Sequence, residues 1–326
     1  MNNLFFIFGG IFALGLGADI IVRSSINLAK LYRVSGYFIG FTVVALGTSL
    51  PEFAATLQAL NVVNSLDIAL GNIIGSNIAN ILLILGIISF INPIIFSNKK
   101  GQKNQTLMVL VITIVATVIF YILTNFQNVN PTIFGMILIF IFLFFLYSQY
   151  KNESSNDYQS SESPKFSQFI SYILLILGII LLYFGSKYFI IGSEKFAYSF
   201  GISESTIGLT LVAFGTSLPE LSAGVVAALK KQTNLAVGTI LGSNIYNIVG
   251  IFAVIIFMNS DSFPSGSNIL LINILIMTLI TFIFVFKIRF GFGFLNIKPF
   301  HLGKRSGLFF LIFYAIYIFY NYLKII

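Results

Sequence analysis

The sequence predicts an all-α polytopic membrane protein with about ten transmembrane helices, arranged as two five-helix repeats of inverted topology. Three observations support this fold class. The chain of 326 residues is 57% hydrophobic and only 9% charged, whereas about 25% of the residues of a soluble domain are charged. Its mean hydropathy is +0.97, and long apolar segments recur along the whole chain. A polar motif in the first half is also repeated in the second half.

The apolar segments were located with a window of about 20 residues, the length that crosses about 30 Å of hydrocarbon. The first segment, from Leu4 to about Ile21, lacks the basic n-region of a signal peptide and is therefore predicted to be a span. The segments centre near Leu14, Ala45, Leu82, Ile114, Ile139, Leu177, Ala213, Val249, Leu275 and Tyr314.

A polar stretch divides these segments into two groups of five. Residues 150–168, YKNESSNDYQSSESPKFSQ, have the composition of a flexible hydrophilic linker. The predicted domains are therefore a first five-helix repeat at 1–149, the linker at 150–168, and a second, inverted five-helix repeat at 169–326.

The basic residues predict the orientation in the membrane. The basic residues are concentrated in one set of alternate loops, and the loops on the opposite side hold little beyond Lys195 and Lys324. By the positive-inside rule, the central linker is cytoplasmic and both termini lie outside. The net charge of +8 is explained by this topology, so no nucleic-acid partner is expected. The loops predicted to be cytoplasmic hold Lys30, Arg33, Lys99, Lys100, Lys103, Lys151, Lys165, Lys230, Lys231, Lys287, Arg289, Lys298, Lys304 and Arg305.

Two motifs occur twice, in the same order and at matching spacing. GFTVVALGTSLPE at 40–52 recurs as GLTLVAFGTSLPE at 208–220, and LGNIIGSNIAN at 70–80 recurs as VGTILGSNIYN at 237–247. The copies lie in the second and seventh predicted spans and the spans that follow them. Because an odd number of crossings separates the copies, they run in opposite directions, as in the inverted repeats of secondary transporters.

Proline and glutamate interrupt the first motif in the middle of a predicted span. Pro51 has no N–H and crowds the carbonyl four residues earlier, so we expect the helix to break around Gly47 and Thr48. Carbonyl groups freed in hydrocarbon must be satisfied by protein, water or a cation. A charge at the bilayer centre costs about 2.5 to 3.5 kcal/mol on insertion scales. The repetition of that charge in Glu52 and Glu220 therefore indicates a functional role.

The repeated motifs bring together oxygen ligands of several kinds. Thr48 and Ser49 supply hydroxyl groups beside the break. In the second motif, Ser76 with Asn80 and Ser243 with Asn247 are four residues apart and share a helix face. Carboxylate, hydroxyl, amide and backbone oxygens suit hard cations such as Na⁺ and Ca²⁺. Close helix packing is expected at two pairs of small residues, Gly71 with Gly75 and Gly238 with Gly242.

Structural explanations exist for each residue taken alone. A serine or threonine in a span often serves helix packing, and one buried glutamate could pair with Arg23 or Lys187. Duplication of the glutamate, proline and hydroxyls in reversed orientation argues against these explanations for the pair. The chain has no cysteine, which excludes disulfides and thiolate metal sites, and the lone histidine, His301, lies in a basic loop.

At these residues the sequence resembles the calcium/cation antiporter superfamily, and specifically the prokaryotic sodium/calcium exchangers. The resemblance rests on the two GTSLPE and GSN repeats and implies ten helices in two inverted halves with four central cation sites. It also implies a prokaryotic plasma-membrane location. The ligands it implies are the Ala45 carbonyl, Thr48, Ser49, Glu52, Ser76, Asn80, the Ala213 carbonyl, Thr216, Ser217, Glu220, Ser243 and Asn247.

One residue departs from the pattern of several relatives. Potassium-dependent exchangers place aspartate where this chain has Asn247, so coupling to K⁺ is not expected. The resulting interpretation is a secondary antiporter in which Na⁺ and Ca²⁺ compete for the same carboxylates, with membrane lipid as surroundings and no obligate protein partner.

Two alternatives remain open at this stage: a proton-coupled Ca²⁺ exchanger and a passive cation channel. Enzyme activity and a cofactor are not expected, because no cysteine and no histidine lies in a span to form a nucleophile and base.

Overall fold

The computed structural model describes residues 2–61, 65–96, 100–126, 129–152, 163–199, 213–259, 268–290 and 301–323. These residues are almost entirely helical. The α-helices are α1 (Asn2–Tyr32), α2 (Gly36–Ile39), α3 (Ala45–Thr48), α4 (Leu50–Asn61), α5 (Leu66–Ala79), α6 (Leu85–Ile91), α7 (Lys100–Asn125), α8 (Pro131–Asn152), α9 (Gln168–Ser199), α10 (Ala213–Thr216), α11 (Leu218–Leu229), α12 (Thr233–Ile245), α13 (Phe252–Met258), α14 (Asn268–Phe290) and α15 (Lys304–Leu323).

Within the described residues, three π-helical segments join consecutive α-helices without a turn: Gly40–Val44, Asn80–Ile84 and Tyr246–Ile251. The strands β1 (Ile94–Ile95) and β2 (His301–Leu302) form a short antiparallel pair in which Ile94 faces Leu302 and Ile95 faces His301. The predicted all-α class is therefore confirmed for the described residues.

Eight helical stretches among the described residues are long and apolar enough to cross a membrane. The apolar helix α11 is shorter, and α15 is not among the eight. The residues ahead of α10, 200–212, lie outside the described part of the chain. The number of ten spans and their inverted arrangement therefore stay predictions. The eight stretches are Leu4–Tyr32, Gly36–Asn61, Leu66–Ile91, Thr106–Asn125, Pro131–Lys151, Gln168–Phe196, Thr233–Met258 and Leu270–Phe290.

The chain divides into two compact units. Unit one comprises residues 1–55 and 153–243, and unit two comprises residues 56–152 and 244–326. Each unit takes segments from both halves of the sequence, so the units are not the predicted repeats. The repeat boundaries at 1–149, 150–168 and 169–326 stay a prediction.

Unit one is built around the packing of α1 against α9. A Cβ atom on Gly17 would lie 2.9 Å from the carbonyl oxygen of Gly178, and one on Gly10 would lie 2.8 Å from the carbonyl oxygen of Gly185. Such distances leave no room for a side chain, so the two helix backbones approach as closely as glycine permits. An ion pair joins α1 to the end of α11, where Lys230 Nζ lies 2.8 Å from Asp19 Oδ1.

Asn27 on α1 binds the chain that leads into α9. Its Oδ1 accepts hydrogen bonds from the backbone N–H groups of Lys165 (2.6 Å) and Phe166 (3.2 Å). Its Nδ2 donates to the carbonyl oxygen of Phe166 (2.9 Å) and to Ser171 Oγ (2.8 Å). All hydrogen-bonding atoms of this buried amide are therefore used, and the entrance to α9 is fixed to α1. This contact is called the Asn27 clamp below.

Unit two packs its helices through small residues and hydroxyl groups. Gly307 on α15 lies against the backbone of Gly86 on α6, where a Cβ would meet the carbonyl oxygen at 2.7 Å. Thr117 on α7 and Thr278 on α14 share a hydrogen bond of 2.6 Å. The buried Lys287 on α14 donates to the carbonyl oxygen of His301 in β2, which gives the ammonium group an acceptor in a buried position.

Candidate ion-binding site

The helix breaks in both copies of the GTSLPE motif. In the first copy α3 ends at Thr48 and α4 begins at Leu50, with Ser49 between them at φ −80° and ψ 1°. Ser217 occupies the same place in the second copy, at φ −86° and ψ 4°. The predicted break at Gly47 and Thr48 is therefore wrong by one residue. Because the Ser49 N–H still donates to the Ala45 carbonyl at 3.0 Å, the first helix continues to that point.

Proline takes a favourable position in each new helix. Pro51 and Pro219 lie in the first turns of α4 and α11. A backbone N–H in a first turn has no partner within its own helix, so proline there removes no hydrogen bond from α4 or α11. The missing N–H instead leaves the carbonyl four residues earlier without its helical partner. In the second copy that carbonyl belongs to Gly215, and it accepts a hydrogen bond of 2.6 Å from Ser186 Oγ.

The two glutamates of unit one exchange hydrogen bonds with serines of the other copy. Ser217 Oγ lies 3.3 Å from Glu52 Oε1, and Ser49 Oγ lies 3.4 Å from Glu220 Oε1. Both glutamates have 0% exposure, and the two carboxyl groups are close enough to interact. The motif copies, separated by more than 160 residues in sequence, therefore form one cluster, which we call the glutamate cluster.

Ser243 adds a third hydroxyl to the glutamate cluster. Its Oγ lies 3.2 Å from Glu220 Oε1 and 3.3 Å from Thr48 Oγ1. The Ala45 carbonyl oxygen is 3.3 Å from Thr48 Oγ1 and 3.5 Å from Ser243 Oγ. Since Ser243 has one proton to donate, it can satisfy only one of these acceptors at a time. Two other predicted ligands are placed by α10, which begins at Ala213 and ends at the buried Thr216.

The electrostatics of the cluster favour a bound cation. Two carboxylates that are buried close together repel each other and have lost their hydration, and the serine side chains that bind them are neutral hydroxyls. Arg23, one possible structural partner, lies 2.6 Å from Asp19 through its Nε atom instead. Within the described residues no three side chains of His, Cys, Asp or Glu come together, so a cation would take most of its ligands from neutral oxygens.

Unit two contains a second polar group, formed by four asparagines that we call the asparagine network. Asn80 Nδ2 donates to Asn244 Oδ1 at 2.9 Å, and Asn247 Nδ2 donates to Asn77 Oδ1 at 3.3 Å. The Oδ1 atoms of Asn80 and Asn247 are buried and accept no hydrogen bond from the described residues. Ser76, the remaining predicted ligand, is fully buried in α5.

Each of the predicted ligands Asn80 and Asn247 lies at the start of a π-helical segment. The N–H of Leu85 donates to the carbonyl of Asn80, and the N–H of Phe252 donates to that of Asn247, five residues back in both cases. Segments of this kind often occur at functional sites. Neither the π-helical segments nor the hydrogen bonds of Asn77 and Asn244 were predicted from the sequence. A buried amide needs an acceptor for its NH₂ group, and this requirement was a signal that pointed to the neighbouring asparagine of the motif.

Close packing at the glycine pairs differs between the copies. A Cβ on Gly242 would lie 2.6 Å from the Cβ of Ala45, and one on Gly238 would lie 3.0 Å from the backbone nitrogen of Phe41. The predicted close approach is therefore confirmed there. At Gly71 and Gly75 no described residue lies within 4 Å of an added Cβ, so this packing stays a prediction.

Comparison with known proteins identifies the relatives of the chain. A model of the sodium/calcium exchanger protein family matches residues 2–151 and 170–323. The uncharacterized membrane protein MJ0091 of Methanocaldococcus jannaschii is 36% identical over 313 residues, which cover 94% of this chain and 95% of that protein. The sodium/calcium exchanger MaX1 of Methanosarcina acetivorans is 28% identical over 309 residues, covering 76% of this chain and 80% of that protein.

A solved structure shares the fold. The sodium-calcium exchanger NCX_Mj, soaked with 2.5 mM Na⁺ and 0.1 mM Ca²⁺, aligns with a TM-score of 0.81 and 32% identity over 98% of both chains. The helical membrane fold and these matches together define a cation antiporter. The chain belongs to the sodium/calcium exchanger family, within the calcium/cation antiporter superfamily, and the predicted resemblance is confirmed.

Proposed function

We propose that the protein exchanges Na⁺ for Ca²⁺ by alternating access at an oxygen-lined site. The observation that carries the proposal is the glutamate cluster, in which Glu52 and Glu220 are fully buried and bound by serines of the opposite motif copy. Two ionised carboxylates balance one Ca²⁺ or two Na⁺, so the two ions compete for the same charges. Transport then needs no covalent chemistry.

The proposed ligands come from the glutamate cluster, the asparagine network and the residues beside them. Carboxylates and neutral oxygens of this kind are the ligands that Ca²⁺ and Na⁺ prefer. Na⁺ and Ca²⁺ act as substrates, and no cofactor is proposed. The full set is the Ala45 carbonyl, Thr48, Ser49, Glu52, Ser76, Asn80, the Ala213 carbonyl, Thr216, Ser217, Glu220, Ser243 and Asn247.

The proposed topology follows the sequence repeat and the distribution of basic residues. Ten spans form two inverted halves, at 1–149 and 169–326, and the linker at 150–168 is cytoplasmic with both termini outside. The proposed location is the plasma membrane of a prokaryote. An inverted pair of halves supports alternating access because the two halves can exchange their conformations.

The coupling ion is tested by ⁴⁵Ca²⁺ uptake into proteoliposomes. Vesicles loaded with Na⁺ and diluted into Na⁺-free medium should accumulate ⁴⁵Ca²⁺, whereas vesicles loaded with choline should not. Uptake driven by a pH gradient without Na⁺ would favour proton coupling instead. Uptake that follows the Ca²⁺ gradient alone, whatever the vesicles contain, would indicate a passive channel.

A further inference from the structure

The asparagine network has the same arrangement in both copies of the GSN motif. The residue after each serine is a second asparagine, Asn77 or Asn244, which is 1% exposed. Asn244 accepts the hydrogen bond from Asn80, and Asn77 accepts the one from Asn247. Each of these two asparagines therefore binds the amide group of the proposed ligand that belongs to the other copy.

The direction of these hydrogen bonds is fixed at their far ends. Asn244 Nδ2 donates to the backbone carbonyl of Asn77 at 3.4 Å, and Asn77 Nδ2 donates to Met277 Sδ at 3.6 Å. A carbonyl oxygen and a thioether sulfur have no proton to give. Rotation of either amide by half a turn would therefore place an oxygen against an acceptor. The oxygens of Asn77 and Asn244 must face Asn247 and Asn80.

Amide orientation matters for a cation ligand because the two ends of the group have opposite polarity. The oxygen attracts a cation, whereas the NH₂ group repels it. Asn80 and Asn247 have their NH₂ groups engaged, and each leaves a buried Oδ1 that no described residue binds. A buried acceptor without a donor costs about 1 to 3 kcal/mol, and a cation at the oxygen would remove that cost.

We propose that Asn77 and Asn244 are positioning residues for ion binding, which turn the amide oxygens of Asn247 and Asn80 toward the cation. The inference rests on the proposed function, because it takes Asn80 and Asn247 as ligands. Outer hydrogen-bond partners of metal ligands typically change metal affinity about 10- to 100-fold when they are replaced. Replacement of Asn77 or Asn244 by leucine, which has a similar shape and no acceptor, should have an effect of this size.

The two anchors differ in strength. The carbonyl that orients Asn244 is a stronger acceptor than the sulfur that orients Asn77. Asn77 and Met277 also line a small cavity. The other residues that line it, among them Ile73, Ile248 and Phe252, are apolar. Nothing among those walls replaces the sulfur as an acceptor. Met277→Leu should therefore weaken Ca²⁺ binding, but less than Asn77→Leu, because Asn77 can still accept from Asn247.

Two double-mutant cycles test the proposal on the purified full-length protein. The readouts are the Ca²⁺ concentration that half-maximally protects against thermal unfolding, and the half-saturating Ca²⁺ and maximum rate of uptake. Asn244→Leu is compared in the wild type and in the Asn80→Ala background, and Asn77→Leu in the wild type and in the Asn247→Ala background. Alanine has no amide to orient.

If Asn77 and Asn244 are positioning residues, each leucine substitution should weaken Ca²⁺ binding in the wild type but not in the second background. Each leucine substitution should raise the half-maximal Ca²⁺ concentration about 10- to 100-fold in the wild type. In the second background it should change it by less than about twofold, because the amide that the substitution would leave unoriented is absent and the two sites are coupled. An equal effect in both backgrounds, or no effect in the wild type, would overturn the proposal. If a leucine variant does not fold without Ca²⁺, the alanine variant replaces it in the same cycle.

The same measurements separate this inference from the proposed function. If Asn80→Ala and Asn247→Ala both leave Ca²⁺ protection unchanged, the ligand assignment fails. If those changes alter Ca²⁺ protection while both leucine variants match the wild type, only the positioning role of Asn77 and Asn244 fails.

Discussion

At the scale of single residues, the charge of the proposed site depends on Glu52 and Glu220. Replacing either by glutamine keeps the shape of the side chain and leaves one negative charge, which cannot balance Ca²⁺. We therefore expect Glu52→Gln and Glu220→Gln to reduce both Na⁺-driven ⁴⁵Ca²⁺ uptake and Ca²⁺-driven ²²Na⁺ flux to the level of protein-free vesicles.

The control for this charge prediction is Asp67→Asn. Asp67 is an exposed carboxylate in the first turn of α5, and its loss should leave both fluxes close to the wild type. The thermal unfolding of all three variants without ions should also resemble that of the wild type. Near-normal uptake by either glutamine variant would remove that glutamate from the mechanism.

Asn247 decides the number of charges in the proposed site. An amide supplies a neutral oxygen, whereas aspartate would add a third carboxylate where water is excluded, and so increase the demand for a proton or an additional cation. Exchange by the wild type should be indifferent to replacement of K⁺ by choline at fixed Na⁺ and clamped voltage. Asn247→Asp should make exchange more dependent on pH and sensitive to K⁺. Strong K⁺ dependence in the wild type would require withdrawal of this ligand assignment.

The sequence was sufficient to predict that Glu52 and Glu220 lie near hydroxyl groups of the repeated motifs, but not how they are bonded. Duplication of a buried charge pointed to Glu52 and Glu220, because such a charge is costly in a membrane. The exchange of partners, with Ser217 bound to Glu52 and Ser49 to Glu220, depends on how helices from distant parts of the chain pack. Hydrophobic periodicity does not contain that information.

At the scale of elements, the packing of α1 on α9 leads to a matched pair of variants. A side chain at Gly17 would collide with the carbonyl of Gly178 and the Cβ of Leu181, whereas no described residue lies within 4 Å of a Cβ at the exposed Gly15. Overpacking typically costs about 1 to 3 kcal/mol. Gly17→Val should lower the midpoint of thermal unfolding in detergent.

Gly15→Val is the control, because it places the same side chain on the same helix two residues away. Its unfolding midpoint should stay close to the wild type. If both variants unfold at the same lower temperature, the loss reflects the reduced helix propensity of valine, and the close approach of α1 and α9 would not be needed for stability.

Local helix geometry was only partly predictable. Proline indicates a helix break, but the exact residue depends on the last backbone hydrogen bond of the preceding helix. Here that bond is donated by the Ser49 N–H to the Ala45 carbonyl. The π-helical segments that contain Asn80 and Asn247 leave no signal in a run of residues such as NILLI, which is apolar on all sides beyond its first position.

At the scale of the whole molecule, the orientation can be tested by labelling. Single cysteines at Ser155 and Ser265, introduced into this cysteine-free chain, should react with impermeant thiol reagents from opposite sides of the membrane, Ser155→Cys from the cytoplasm. Both positions lie outside the described residues. Labelling of both from the same side would contradict the orientation and the inverted repeat together. Labelling after detergent permeabilisation controls for accessibility.

The class of the molecule was predicted from composition alone, because no soluble fold can bury so much apolar surface. Eight described stretches satisfy the length and hydropathy of a span. The seventh predicted span is interrupted by the helix break at Ser217, and part of it lies outside the described residues. The break itself does not decide the count, because Gly36–Asn61 contains the equivalent break at Ser49 and is among the eight.

Because of the Asn27 clamp, the position of the start of α9 does not depend on the sequence that precedes it. Since the clamp binds backbone atoms of Lys165 and Phe166, it requires no particular side chain there, and it fixes the chain at a point beyond most of the hydrophilic stretch. The connection that is predicted to be cytoplasmic can therefore accept extra sequence. A fluorescent protein or an antibody epitope inserted after Ser155 should leave α9 in place, which makes this site suitable for following the exchanger in cells.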